Sequence, residues 1–177
     1  MTGLPRPGRL LKLSTDEVDA ERFLAILRAV ALFPHQRSGQ SRVAREALWF
    51  FWTAPRLPRP RILGKYPVAF PWSALAREQV RESRIRRPGG MGLVMEHLEP
   101  QTLLVTDLLS RLPGLDAVDL TEELHDRLTF AVISRADDTR LRDAGFNSRM
   151  PGTSAGPWAR YLASGIDLGD FRPIDAD

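Results

Sequence analysis

Two hydrophobic periods run through this chain, and the helical one dominates. Ser14-Thr15-Asp16-Glu17 reads as a helix start, with Ser14 or Thr15 as cap and acids in the first turn. Phe23, Leu24, Leu27, Val30 and Ala31 then recur at helical spacing and give one apolar face. Pro34 ends that helix, and 35–40 reads as a polar loop in which His35 is solvated. Ser41 is placed to cap a second helix over 42–53. The end of that helix, Ala47-Leu48-Trp49-Phe50-Phe51-Trp52, is apolar on nearly every side, which predicts a core position for Trp49 and Phe50. Prolines at 55, 58, 60, 67 and 71 exclude a regular helix or central strand and predict an extended arm over 55–71, with an edge strand near Ile62-Leu63.

Beyond the arm, the pattern predicts a helix over 72–83, a basic loop over 84–90 and a buried strand over 91–99. Pro100 opens a helix over 100–112 with Leu104, Val105, Leu108, Leu109 and Leu112 facing in, and a short helix follows over 118–126. Thr129-Phe130-Ala131-Val132-Ile133 is a second strand. Ser134-Arg135-Ala136-Asp137 is a capping box with Asp in place of Glu, opening a helix that Gly145 closes. A short helix over 157–163 places Trp158 and Tyr161 in the core. Together these define an α+β fold, predominantly helical, with a small β-sheet. The domain reading is a flexible N-terminal tail over 1–13, one globular domain over 14–166 and an acidic C-terminal tail over 167–177.

Composition narrows the chemistry. The 177 residues include no cysteine, which excludes disulfides, thiolate zinc sites and a cysteine nucleophile. Hydrophobic residues at 43% and charged residues at 27% are globular values. The N-terminus carries no apolar stretch typical of a signal peptide, and no run is long enough to span a bilayer, so the expectation is a cytoplasmic protein with no membrane contact. Net charge is +3, but residues 1–54 carry +3, residues 55–90 carry +7 and residues 91–177 carry −7. The basic segment predicts a polyanion-binding face, with Arg84, Arg86 and Arg87 among its contacts, or else an acidic protein partner.

Candidate chemistry centres on Glu96-His97-Leu98-Glu99-Pro100, where an imidazole sits between carboxylates at a strand end. That pattern resembles the first signature of HNH (ββα-metal) nucleases. The resemblance covers about ten residues of the whole chain. It implies a nucleic-acid phosphodiesterase, of the nuclease or toxin-like kind that a mobile element or defence system uses. His97 would then be the general base, with a divalent cation (Mg or Mn) across the phosphate. Glu96 and Glu46 would bind that cation or orient His97, while Arg42, Arg45 and Arg149 would hold phosphates. Read from the residues alone, His97 is equally well a satisfied polar residue at a strand end, and Arg42 with Glu46 an i,i+4 surface ion pair. The alternative function is a non-enzymatic module whose basic 55–90 segment meets DNA, RNA or an acidic protein.

Overall fold

Residues 3–33, 37–85, 92–152 and 156–174 are described by a computed structural model, with the backbone alone at 83–85. In chain order the elements are β1 (Gly8–Arg9), α1 (Asp16–Ala31), α2 (Arg37–Ala47), β2 (Arg61–Ile62), β3 (Tyr66–Pro67), α3 (Ala74–Ile85), β4 (Leu93–His97), α4 (Gln101–Arg111), α5 (Ala117–Arg127), β5 (Thr129–Ser134), α6 (Arg135–Asp143) and α7 (Ala159–Ala163). The fold is α+β and mostly helical, as the periodicity indicates. Where the sequence suggests one domain, the chain forms two compact units. One comprises 1–9, 58–98 and 129–177, and the other 10–57 and 99–128.

The second unit is built from α1, α2, α4 and α5. Phe23, Leu24 and Leu27 of α1, Leu104, Val105 and Leu108 of α4, and Leu120 and Leu124 of α5 are all buried. Each set follows the helical spacing that identified it. α2 departs from expectation at both ends. It begins at Arg37, ahead of Ser41, and in its first turn the Gln40 side chain donates to the Val30 and Phe33 carbonyls (2.9 and 3.0 Å) at the end of α1. Its far end widens into a π-helical stretch, Leu48–Thr53, in which the Ala54 N–H donates to the Trp49 carbonyl. This changes which aromatics turn inward. Leu48 and Trp52 are fully buried, whereas Phe50 is 65% exposed and Trp49 half-buried, so the predicted core placement of Trp49 and Phe50 is corrected. Phe50→Ala should therefore shift stability by no more than about 0.5 kcal/mol, against roughly 3–5 kcal/mol for Trp52→Ala. Urea denaturation of the two variants checks this directly.

In the first unit, β5 is the central strand of a sheet ordered β1–β5–β4, antiparallel throughout. All six of its residues are buried, as expected of a strand covered on both faces. Leu98, Ala131 and Ile133 on one face pack with Leu141, Trp158, Tyr161, Ile166, Leu168 and Phe171. The opposite face carries Met95, His97, Phe130 and Val132, with Phe70 stacked on Phe130 at 5.7 Å.

Both predicted tails join this core. Gly8 pairs with Phe130, in a place where a Cβ would come within 2.6 Å of the Phe70 ring, and the Trp158 indole donates to the Pro5 carbonyl at 2.8 Å. Ile166, Leu168 and Phe171 are buried, and Trp72 and Arg172 exchange backbone hydrogen bonds of 2.9 and 3.3 Å. These few apolar residues escape a periodicity search because each packs singly rather than as part of a face.

The capping box forms as predicted. Asp137 accepts from the Ser134 amide and hydroxyl, and also from Ser73 (2.7 Å), whose oxygen in turn caps α3.

Candidate functional site

β4 runs through His97, so its pleat sends Glu96 and His97 to opposite faces. The two side chains do not converge. On one face, Glu96 meets Arg160, a fully buried guanidinium 2.6 Å from its carboxylate. Arg160 also donates to the carbonyls of Leu98 (3.0 Å), Phe146 (2.6 Å) and His97. Burial pushes the Glu96 pKa up, and the Arg160 charge opposes the rise without cancelling it, while Asp138 adds to it. Tyr161 lies near these charges with its hydroxyl buried and, among the described residues, without a hydrogen-bond partner. Ser134, Asp137 and Arg160 are thus explained by structure, and Trp158 and Tyr161 are core residues as expected.

On the other face, His97 packs against Phe130, with ring centroids 4.6 Å apart and the rings tilted by 53°. Its Nε2 is buried and has no partner among the described residues. No carboxylate is among the charges that act on it. Burial, then the Arg160 and Lys65 charges, hold the imidazole down at about 3. His97 is therefore neutral at pH 7 and poorly suited to accept a proton. Because its folded pKa lies below the unfolded value of 6.5, its contribution to stability is complete above pH 6.5 and declines as pH falls. The decline is roughly 1.4 kcal/mol per pH unit. We expect His97→Phe to remove this slope between pH 6 and 4, as read by urea denaturation at several pH values; an unchanged slope would contradict the burial of the imidazole.

Two of the three residues proposed to hold phosphate, Arg42 and Arg45, do converge, in the second unit, together with Glu46. Arg42, Arg45, Glu46 and Trp49 lie at i, i+3, i+4 and i+7 on one face of the α2 helix and its π-helical extension. With Gln101 at the start of α4 they line an open pocket of about 580 Å³. Arg42 and Glu46 do not form the expected ion pair. None of the ion pairs among the described residues uses Arg42, Arg45 or Glu46. The Arg45 Nε donates to the Ser41 carbonyl at 3.2 Å. Since α2 starts at Arg37, these arginines sit in mid-helix, and the helix N-terminus adds nothing to their attraction for anions. The spacing was present in the sequence; that Trp49 and Gln101 complete the pocket was not.

The remaining candidates are dispersed. Arg149 is exposed, with its guanidinium over the Phe146 ring at 5.5 Å and against Gly145. Arg86 and Arg87 lie outside the described residues, as does the Arg84 side chain. Arg56, counted in the basic segment, is fully buried between Asp16 and Asp19 and so contributes no surface charge. Among the described residues no group of three or more His, Asp or Glu side chains is arranged to hold a metal ion, so the divalent cation implied by the resemblance finds no donor set there. No helix among them is long and apolar enough to cross a membrane. The fold and site thus define a mostly helical α+β protein with an arginine-lined pocket on its helical unit. Comparison with models of protein families, with curated proteins and with solved structures finds no match for the chain.

Proposed function

We propose that this protein binds nucleic acid, with the Arg42–Arg45–Trp49 pocket of its helical unit holding a phosphate and the nucleotide attached to it. The observation that carries the reading is the pair of guanidiniums in one open pocket, with no carboxylate ion-paired to either. A guanidinium presents a planar fork of donors that matches phosphate oxygens bidentately. The half-buried Trp49 supplies an aromatic ring on which a base can stack, and the Gln101 amide and Glu46 carboxylate offer a donor and acceptors to its polar edge. A volume of about 580 Å³ suits a nucleotide. The overall basicity, with a pI near 9.9, favours encounter with a polyanion.

Binding is favoured over phosphodiester hydrolysis, because His97, the base that the resemblance implies, is buried and neutral. The test is fluorescence anisotropy with single- and double-stranded DNA and RNA across a salt series. Affinity should fall steeply with salt. Arg42→Ala and Arg45→Ala should each reduce the slope of log affinity against log salt by about 1 and weaken all sequences alike. Incubation with magnesium or manganese should leave the nucleic acid intact. Salt-independent binding would refute the pocket reading, and cleavage abolished by His97→Ala would restore the hydrolytic one.

A further inference from the structure

The first unit carries a second feature that the pocket does not explain. β2 and β3 form a short antiparallel hairpin, with Arg61 opposite Pro67 and Ile62 opposite Tyr66. Its base is anchored: the Tyr66 hydroxyl donates to the Leu93 carbonyl at 3.0 Å and the Val68 amide to the Pro60 carbonyl at 3.1 Å. At the tip, the Lys65 amide donates to the Ile62 carbonyl at 3.2 Å, and both intervening residues have positive φ, 52° at Leu63 and 69° at Gly64. Two consecutive residues of that sign are the mark of a primed hairpin turn, for which Asn-Gly or Gly-Gly is the unstrained choice. Leu63 is the only non-glycine residue with positive φ among those described, and its side chain is 60% exposed. Neither local propensity nor burial explains a leucine there.

The surroundings say what such a leucine is fitted to meet. Arg59, Arg61 and Lys65 flank it, and Arg59, Pro60, Arg61 and Gly64 line a concavity of about 250 Å³ beside the tip. No Asp or Glu occurs between Glu46 and Glu78. A cationic hairpin, hydrogen-bonded at its base and with an apolar side chain at its apex, matches the way duplex-binding proteins press an apolar wedge between base steps while cations hold the flanking phosphates.

We propose that the β2–β3 hairpin contacts duplex nucleic acid from the minor groove. Leu63 wedges between adjacent bases, and Arg59, Arg61 and Lys65 engage the phosphates on either side. The inference takes its class of partner from the nucleic-acid reading above but uses none of the pocket residues.

The experiment uses the full chain and duplex DNA carrying a fluorescent adenine analogue that brightens on unstacking. Wild type should raise the fluorescence. Leu63→Gly should abolish the rise and weaken duplex binding about tenfold or more, as the loss of one buried leucine side chain implies. Glycine is at ease at positive φ, so the variant should melt no lower than wild type, which separates loss of the wedge from loss of the fold. Replacing Arg59, Arg61 and Lys65 together with Ala should lower the salt slope by about 3. Three results would overturn the proposal: a wild-type complex that leaves the analogue dark, a Leu63→Gly variant that binds and brightens as wild type does, or capture by phosphatidylserine vesicles in preference to duplex. Pocket variants Arg42→Ala and Arg45→Ala serve as the parallel series. Should they bind normally while Leu63→Gly fails, the pocket reading falls and the hairpin stands; the reverse result overturns the hairpin alone.

Discussion

Arg160→Ala should destabilise the protein by about 3–5 kcal/mol, the characteristic cost of removing one partner from a buried ion pair. Arg160 is fully inaccessible and satisfies four acceptors at once: the Glu96 carboxylate and the carbonyls of His97, Leu98 and Phe146. Deleting it leaves a carboxylate already pushed toward its neutral form with nothing to oppose that push. It also releases the 146–149 loop from the end of β4. Arg160→Lys should recover little, since one ammonium cannot span acceptors that a planar guanidinium reaches on several edges. Combining Glu96→Gln with Arg160→Ala should cost less than the sum of the two single changes, because the uncompensated charge is gone. Chemical denaturation of the four variants measures the coupling. A denaturation midpoint that does not move in Arg160→Ala would show that the buried pair does not hold β4 to α7.

Arg56→Ala should produce a loss of similar size, about 3–5 kcal/mol, in the helical unit. Arg56 is likewise fully buried. Its Nε and Nη2 reach Asp16 (2.8 and 2.7 Å), Nη2 reaches Asp19 (2.8 Å), and Nη1 donates to the Phe51 and Trp52 carbonyls (3.1 Å each). The guanidinium also lies 3.9 Å from the Trp52 ring centroid, and His125 Nε2 is 2.6 Å from the other Asp16 oxygen. Burial alone would raise both carboxyl pKa values. The hydrogen bonds outweigh it, from His125 and Arg56 on Asp16 and from Arg56 and Thr15 on Asp19, and both end below the usual value of 3.8. With the folded value below the unfolded one, the stabilisation is complete above pH 3.8 and disappears as pH falls through the folded pKa values. Wild type should therefore lose stability steeply below about pH 4, and Arg56→Ala, already lacking the interaction, should lose less there. Parallel acid-denaturation curves for the two proteins would refute this account.

Much of the fold is written in local pattern. The apolar spacing of α1 and α4, the Pro100 start of α4, the Ser134–Asp137 capping box and the apolar run of β5 each involve residues within a turn or two of one another. Their physics is complete before any tertiary contact forms. The same holds for the Arg42, Arg45 and Glu46 face, whose members share one side of any helix that contains them.

What sequence left open depends on partners far away in the chain. Glu96 and His97 are adjacent, and either could have been the functional group. Only the continuation of β4 through His97, with Arg160 on one face and Phe130 on the other, made one a buried ion pair and the other a neutral core imidazole. Arg56 counts as surface charge until Asp16 and Asp19, some 40 positions earlier, are brought against it. Five successive aromatic or apolar positions after Ala47 cannot be phased from composition, because the π-helical turn that exposes Phe50 and buries Trp52 is settled by packing. By itself, then, the sequence determined most of the helices, the two longer strands, the α+β class and the arginine face, all of which rest on short-range sterics and periodicity. Which charges are buried, which histidine is silenced and what completes the pocket were decided by the tertiary structure, since desolvation and pairing act between residues that only folding makes neighbours.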